Sequence, residues 1–319
     1  MTIFTPPFVS KLNDSKKILL AGAGGGFDIF CGLPLYFSLI NQGKEVVLAN
    51  LSFTSLEDFK GSWLTKTMME VTADTLAFEG LYFPEWYLSK WFKEVQNKDV
   101  SVFSFVRSGV VPLIENYQRL IKQFDIDTVV LIDGGTDSLM RGDEDRLGTP
   151  KEDYLSLAAL QAIPECQKMV TCLGFGVDHY HGVSNDLTFK AIAELTEMGG
   201  YLGCASMLKE MPEVQTYRDI CDYTFDKMNF GTSIVSSSIL SAVAGHYGNH
   251  HATERTQGSR LWINPLMPIY WFFDFEILAQ RNLIINQLMM TEFHDQIIRE
   301  IMRIRAMMNR TQNRGAIPN

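Results

Sequence analysis

Three short segments of the sequence combine glycines with acidic or histidine side chains. They are residues 21–28 (AGAGGGFD), residues 133–145 (DGGTDSLMRGDED) and residues 174–182 (GFGVDHYHG). Glycines let the backbone turn tightly and approach a ligand. Carboxylates and imidazoles transfer protons and bind cations. These three segments are therefore the first candidates for chemistry.

The glycine-rich segment at residues 21–28 is typical of an anion-binding turn. It follows an apolar run and precedes a predicted helix, whose free N–H groups attract anions. The residues predicted to bind a ligand here are Gly22, Gly24, Gly25, Gly26 and Asp28. The pattern favours a phosphate, carboxylate or sugar ligand. The alternative is that the glycines serve only the turn.

Two residues depart from the dinucleotide-binding fingerprint and count against a nicotinamide-dependent oxidoreductase. Phe27 stands where the dinucleotide-binding fingerprint has its third glycine, and the second predicted strand ends in Asn50 instead of a ribose-binding acid. We keep Asn50 as a candidate ligand-binding residue. The Gly-Lys-Ser/Thr ending of a Walker A loop is also missing from this segment.

The acidic segment follows the most apolar predicted strand. Asp133 ends this strand and Asp137 comes four residues later, so both can point into a crevice at the strand's carboxyl end. We predict them to act as a general base or to hold Mg²⁺ or another divalent cation. The residues predicted to contact the ligand beside them are Gly134, Gly135 and Arg141. The alternative is a solvated acidic turn.

Five of the six histidines fall in two short segments that contain glycines. They are His179, His181, His246, His250 and His251. We predict acid–base catalysis by His179 and His181, with Asp178 orienting them or binding the ligand. His246 is a further candidate ligand-binding residue, and Arg255 and Arg260 are suited to clamp an anionic group. No HExxH pattern is present.

Short apolar runs that alternate with helical patterns must position these segments. The predicted strands cover residues 17–21, 45–50, 100–106, 128–133 and 169–174, and the predicted helices cover 29–39, 110–124, 154–163 and 186–198. Strands without polar alternation indicate a parallel sheet that is covered on both faces. The fold class is therefore α/β, with a doubly wound, mostly parallel, Rossmann-like sheet.

Helix starts and two irregular regions complete the prediction. Thr149 and Glu152 form a capping-box pattern around Pro150, and Ser184 is a second candidate N-cap. Residues 53–97 are rich in aromatics and predict a helical insertion, for which packing is favoured over a lid or partner surface. Residues 233–310 predict a helical C-terminal layer. We expect one α/β domain over residues 1–319.

Composition limits the classes of partner. The 319 residues are 46% hydrophobic and 20% charged, which indicates a globular protein. The net charge of −9 disfavours nucleic acid, because an acidic surface repels phosphate backbones. The five cysteines contain no CxxC, and we find neither a signal peptide nor an apolar membrane segment. We expect a cytoplasmic protein with a small-molecule ligand. The sequence leaves open whether the protein forms a homo-oligomer.

Four groups of residues resemble a known family. They are residues 21–28, residues 49–54 (ANLSFT), residues 133–137 together with 141–144 (DGGTD and RGDE), and residues 174–178 (GFGVD). These segments resemble archaeal and bacterial proteins designated as domain of unknown function 1152. The resemblance spans roughly residues 15–260, and it implies a fold and a site location but no substrate. The run of residues 178–181 (DHYH) departs from the family's pattern.

These observations favour an enzyme that acts on a phosphorylated, nucleoside-like or sugar-like small molecule by hydrolysis or group transfer. The glycine loop would hold the anionic or sugar part, and a bound nucleotide or divalent cation is compatible with the site. A non-catalytic nucleotide-sensing or interaction module is the alternative. An NAD-dependent oxidoreductase is a weaker third reading.

Overall fold

The structure is a computed structural model that describes residues 2–308, with the backbone alone at Tyr180. Its strands form at the predicted apolar runs and at four further places. They are β1 (Lys17–Gly22), β2 (Glu45–Leu51), β3 (Ser62–Thr65), β4 (Met68–Val71), β5 (Val102–Phe105), β6 (Thr128–Asp133), β7 (Gln167–Cys172), β8 (Tyr201–Ser206) and β9 (Ile269–Asp274). The last two residues of the predicted helical C-terminal layer, 309 and 310, lie outside the described residues.

These strands form one sheet in the order β3-β4-β5-β2-β1-β6-β7-β9-β8. The five central strands, from β5 to β7, pair in parallel. The pairings of β4 with β5 and of β9 with both β7 and β8 are antiparallel. The connections reverse direction between β1 and β6, because the chain runs from β1 towards β2 and later returns to add β6 on the other side. The predicted Rossmann-like class is confirmed.

Helices cover both faces of the sheet. They are α1 (Pro7–Asp14), α2 (Asp28–Cys31), α3 (Leu33–Asn41), α4 (Pro84–Gln96), α5 (Val110–Phe124), α6 (Pro150–Gln161), α7 (Asn185–Glu197), α8 (Pro212–Lys227), α9 (Ile234–Val243), α10 (Phe275–Arg281), α11 (Ile285–Leu288) and α12 (His294–Met307). Side chains of β1 alternate between two apolar clusters, with Leu19 in one and Ile18 in the other. Both faces of the sheet are therefore buried, as the unalternating strands predict.

Residues 53–97 are only partly helical, so the expectation of a helical insertion is corrected. The hairpin of β3 and β4 extends the sheet through the antiparallel pairing of β4 with β5, and α4 alone forms an α-helix here. Segments of four residues are too short for periodicity to separate strand from helix. The aromatic side chains Trp86, Tyr87, Trp91 and Phe92 of α4 are buried, which agrees with the packing role expected of them.

The C-terminal portion also contains a strand that the helical expectation misses. β9 lies between β7 and β8 and runs antiparallel to both. Phe272 and Phe273 are fully buried on its two sides, each in a different apolar cluster. Only this long-range pairing makes the segment a strand. Among residues 2–308, no helix has both the length and the apolar character that crossing a bilayer requires.

The end of α10 anchors the turn that follows β6. The guanidinium of Arg281 pairs with Glu194 Oε2 at 2.7 and 2.8 Å, and its Nη1 donates to the carbonyl of Leu139 at 2.6 Å. Asn282 donates to the neighbouring carbonyl of Met140 at 3.2 Å. Because these carbonyls directly follow Asp137, the anchor fixes the acidic segment against α7 and α10.

We expect Arg281→Ala to lower the free energy of unfolding by about 3 kcal/mol, since it leaves Glu194 and a buried carbonyl without their donor. The matched control is Arg303→Ala, which removes an exposed pair with Glu300 and should change stability by less than about 0.5 kcal/mol. Urea denaturation of both variants measures the difference. Equal losses for the two variants would contradict the anchoring role.

Candidate functional site

A cleft of about 390 Å³ opens at the carboxyl side of the central strands. Its lining residues follow the ends of four strands: Gly24 follows β1, Phe53 follows β2, Arg107 follows β5 and His181 follows β7. This is the edge where the strand connections reverse between β1 and β6. Ligands of open α/β sheets bind in such crevices.

The glycine loop after β1 is held between two strands. The N–H of Ala23 donates to Ile132 at 2.7 Å, and that of Gly26 donates to Leu51 at 3.0 Å. Gly25 and Gly26 have φ angles of 87° and 60°, a conformation that side chains with a Cβ rarely adopt. The loop thus needs glycine at these two positions to turn from β1 into α2.

The loop's hydrogen bonds differ from those of a simple anion-binding turn. The N–H of Gly24 donates to Asp28 Oδ2 at 2.6 Å, so this N–H already binds a carboxylate of the protein instead of an external anion. Gly24 and Gly25 line the cleft. Gly22 lies instead against Asn50, whose Oδ1 would be 2.1 Å from a Cβ added to the glycine.

Asn50 stabilises this loop through a hydrogen bond. Its Nδ2 donates to the carbonyl of Gly26 and to Glu85 Oε1, both at 2.8 Å. Glu85 is fully buried in the first turn of α4, and this burial raises its pKa to about 7. Asn50, predicted as a ligand-binding residue, is therefore committed to the loop and to Glu85.

Five aspartates converge beneath the cleft from separate parts of the chain. Asp28 begins α2, Asp133 ends β6, Asp137 lies in the following 3₁₀ turn, Asp153 lies in α6 and Asp178 follows β7. Asp28 is half-buried and lines the cleft, whereas the other four are at most 7% exposed. One carboxylate oxygen each from Asp28, Asp133 and Asp153 lies within 4.8 Å of the others.

Backbone donors stabilise these carboxylates. The N–H of Ser138 donates to Asp133 at 3.1 Å, and that of Thr136 donates to Asp178 at 2.7 Å. In contrast, Asp153 Oδ1 is buried and has no hydrogen-bond partner. Within residues 2–308, the ion pairs of lysine and arginine involve other acids and none of these five aspartates.

Burial and mutual repulsion shift the titration of the cluster. Burial, followed by the negative charge of Asp137, raises the pKa of Asp133, Asp153 and Asp178 well above the ordinary aspartate range. Burial also raises the pKa of Asp28 to about 7, although the Gly24 N–H opposes the shift. For Asp137, burial raises the pKa and hydrogen bonds from Thr149 oppose the shift.

The capping box predicted at the start of α6 does not form. The N–H and hydroxyl of Thr149 both donate to Asp137 Oδ2, at 2.7 and 3.1 Å. A charged acceptor makes a stronger hydrogen bond than the backbone would. Glu152, the expected partner in the box, pairs with Lys151 at 3.0 Å and lines the cleft. The N-cap predicted at Ser184 is confirmed by its hydrogen bond from the N–H of Leu187.

Basic side chains surround the cleft on its exposed side. Arg107, Lys151, His181 and Arg255 all line it, and Arg107, His181 and Arg255 are exposed to solvent. Arg255 is oriented by donation to the carbonyl of Thr232. The arrangement therefore places acids below and positive groups at the edge of one cavity.

The structure separates several residues that the sequence grouped together. His179 lies in a second cavity, of about 620 Å³, with Arg260 and Trp262. The 3₁₀ turn Val177–His181 leads the two histidines into different cavities. His246 stacks on His250 with 3.7 Å between ring centroids, in a third cavity.

Arg141, Gly134 and Gly135 also lie outside the set of residues that line the cleft. Arg141 forms an ion pair with Asp143 at 2.9 Å. The two glycines lie against carboxylates: a Cβ at Gly134 would be 2.8 Å from Asp28 Oδ1, and one at Gly135 would be 2.6 Å from Asp178 Oδ2. Because these two glycines have no side chain, the carboxylates of Asp28 and Asp178 can lie close to the backbone there.

Sequence reasoning missed several residues of the site. They are Phe53, Tyr82, Glu85, Arg107, Lys151 and Asp153. The acidic pair at 152–153 carries a signal, but two acids in a first helical turn are also what the helix dipole favours. Arg107 and Tyr82 each lie two residues from a single glycine, which marks a turn but no recognisable motif, so the single sequence offers little signal for them.

Together, the strand order and the cleft at the reversal point define a Rossmann-like α/β protein with a candidate ligand site at the carboxyl edge of its sheet. A family model described as "Protein of unknown function (DUF1152)" matches residues 19–308, and the chain belongs to this family. The family expected from the four groups of residues is confirmed. No curated protein and no solved structure shows a significant similarity to the chain.

The burial of Glu85 predicts a stability change between pH 5 and pH 8. Its pKa of about 7 in the folded protein exceeds the ordinary value of 4.5, so the folded state binds the proton more tightly than the unfolded state in this window. Rising pH therefore removes stability from the wild type, and Glu85→Gln removes this loss. We expect the variant to gain about 2.5 kcal/mol relative to the wild type between pH 5 and pH 8.

Urea denaturation at both pH values measures this change, and the pH 5 measurement is its internal control. At pH 5, folded Glu85 is protonated and resembles glutamine, and the two proteins should differ by only about 1 kcal/mol or less. A difference that is the same at pH 5 and pH 8 would show that Glu85 does not titrate in this window.

Proposed function

We propose that this protein is an enzyme that acts on a phosphorylated sugar or nucleoside by hydrolysis or group transfer. The main support for the proposal is a single cleft that is lined by exposed basic side chains and by the half-buried carboxylate of Asp28. Asp28 is also part of the buried acidic cluster beneath the cleft. A phosphorylated sugar has matching parts. Its phosphate suits the basic edge, and its hydroxyl groups suit carboxylate acceptors.

The basic edge is suited to the phosphate. Arg107, Lys151 and Arg255 line the same cavity, and guanidinium groups bind phosphate oxygens with two parallel hydrogen bonds. Arg255 is already oriented by its bond to Thr232. The two arginines are exposed, so a ligand reaches them from solvent.

Asp28 has the properties of a general base. It lines the cleft, and a carboxylate at this position can accept a proton from a bound water. In hydrolysis it would accept a proton from the attacking water as the bond to the leaving group breaks. His181 lines the same cavity and would donate a proton to the leaving oxygen.

Aromatic side chains form another part of the wall. Phe27, Phe53 and Tyr82 line the cleft, and flat rings of this kind stack against sugars or nucleobases. Arg107 lies 5.8 Å from the ring centroid of Phe53, so a stacked ring and a bound phosphate would be neighbours. This proximity favours a ligand that carries both groups.

Binding and turnover of defined compounds test the proposal. We expect ribose 5-phosphate or adenosine monophosphate to bind, as measured by calorimetry, and members of a panel of sugar phosphates and nucleotides to be converted, as measured by chromatography. Arg107→Ala and Arg255→Ala should each weaken binding about tenfold or more, because a hydrogen bond to a charged group is lost. Asp28→Asn should lower kcat about 100-fold, with a smaller effect on binding.

The matched control is Arg260→Ala, because Arg260 lies with His179 in the separate cavity. Binding and turnover should be unchanged in this variant. Weakening by Arg260→Ala as large as that by Arg255→Ala would place the ligand elsewhere. Ligand binding without conversion of any compound in the panel would instead support a non-catalytic nucleotide-sensing module.

A further inference from the structure

Asp28, Asp133 and Asp153 place three oxygen atoms around one point below the cleft. One carboxylate oxygen from each lies within 4.8 Å of the other two. The three residues come from the start of α2, the end of β6 and the first turn of α6. Since three separate elements supply them, the grouping depends on the whole central sheet and not on one flexible turn.

The protein leaves this group of carboxylates incompletely satisfied. Asp153 is 2% exposed, and its Oδ1 has no hydrogen-bond partner although it lies against the glycine loop. Among the residues that the structure describes, no lysine or arginine pairs with any of the three. A buried carboxylate without a partner is costly in its ionised form, and a bound cation would offset this cost.

The surrounding backbone holds these side chains in place. Asp28 Oδ2 accepts the N–H of Gly24 at 2.6 Å, and Asp133 Oδ2 accepts the N–H of Ser138 at 3.1 Å. A Cβ at Gly24 would be 3.0 Å from both Asp28 Oδ2 and Asp153 Oδ1. Hydrogen bonds of this kind around the ligands orient carboxylates in metal sites.

The other two aspartates have different partners. Asp137 Oδ2 accepts two hydrogen bonds from Thr149, and Asp178 Oδ2 accepts the N–H of Thr136 at 2.7 Å. The sequence favoured Asp133 and Asp137 as cation ligands. The geometry groups Asp133 with Asp28 and Asp153 instead, and it leaves Asp137 and Asp178 as neighbouring negative charges.

We propose that Asp28, Asp133 and Asp153 bind one divalent cation of the Mg²⁺ class at the base of the cleft. An all-oxygen ligand set selects a hard cation over zinc or copper. Oxygens that lie within 4.8 Å of one another need only a small closure to bind one ion at about 2.0–2.6 Å from each. Because Asp28 also lines the cleft, the ion would be accessible from it and could keep water ligands on that side.

Titration of the full-length, EDTA-treated protein with Mn²⁺ or Mg²⁺, without substrate, tests this site. We expect one Mn²⁺ per chain by electron paramagnetic resonance, competition by Mg²⁺, and a higher Tm in the presence of Mg²⁺. Asp153→Asn should weaken Mn²⁺ binding at least tenfold and abolish the Mg²⁺-dependent rise in Tm. The metal-free variant should melt no lower than the metal-free wild type, because it lacks an unpaired buried carboxylate.

The matched control is Asp178→Asn, which removes a buried carboxylate of the same cluster outside the three-oxygen group. Mn²⁺ binding should change less than threefold in this variant. Equal weakening by Asp153→Asn and Asp178→Asn, or no stoichiometric Mn²⁺ in the wild type, would overturn the cation site. The readout is independent of turnover: one bound Mn²⁺ without conversion of any phosphorylated compound would overturn the proposed reaction and leave this site standing.

Discussion

The placement of several carboxylates in one poorly solvated region constrains the rest of the site. Like charges repel strongly where water is excluded, and burial alone disfavours the ionised form. Asp133, Asp137, Asp153 and Asp178 all lie in this region, and their pKa values are raised accordingly. Backbone N–H groups of the surrounding loops donate to Asp133, Asp137 and Asp178, whereas Asp153 Oδ1 has no donor.

Glycines make this arrangement sterically possible. A Cβ at Gly148 would be 2.3 Å from Asp137 Oδ2, and one at Gly135 would be 2.6 Å from Asp178 Oδ2. The same holds at Gly134, which faces Asp28. These positions admit a carboxylate of the protein close to the backbone. Glycine-rich segments in this fold thus serve the acidic cluster as well as the turns, and only Gly24 and Gly25 of the predicted glycines line the cleft.

The sheet brings opposite charges to different depths of one cleft. Acids that end central strands or begin the following helices lie beneath the carboxyl edge, whereas Arg107 and Arg255 come from exposed loops around it. Backbone N–H groups donate to all of the aspartates except Asp153, and the two arginines face solvent. This division matches the two proposals: a bound phosphate would face the arginines, and a bound cation would face the carboxylates.

The sequence by itself determined the parallel sheet, the acidic strand end at Asp133 and the glycine loop, because unalternating apolar runs and glycine-punctuated turns are local signals. It did not determine β9 or the hairpin of β3 and β4, whose short runs become strands only through pairing with distant partners. The grouping of Asp153 with Asp28, and the separation of His179 from His181, were also decided by the tertiary structure. Which side chains share a cavity depends on how helices and strands pack against one another. The distances between side chains on different elements cannot be derived from a single sequence.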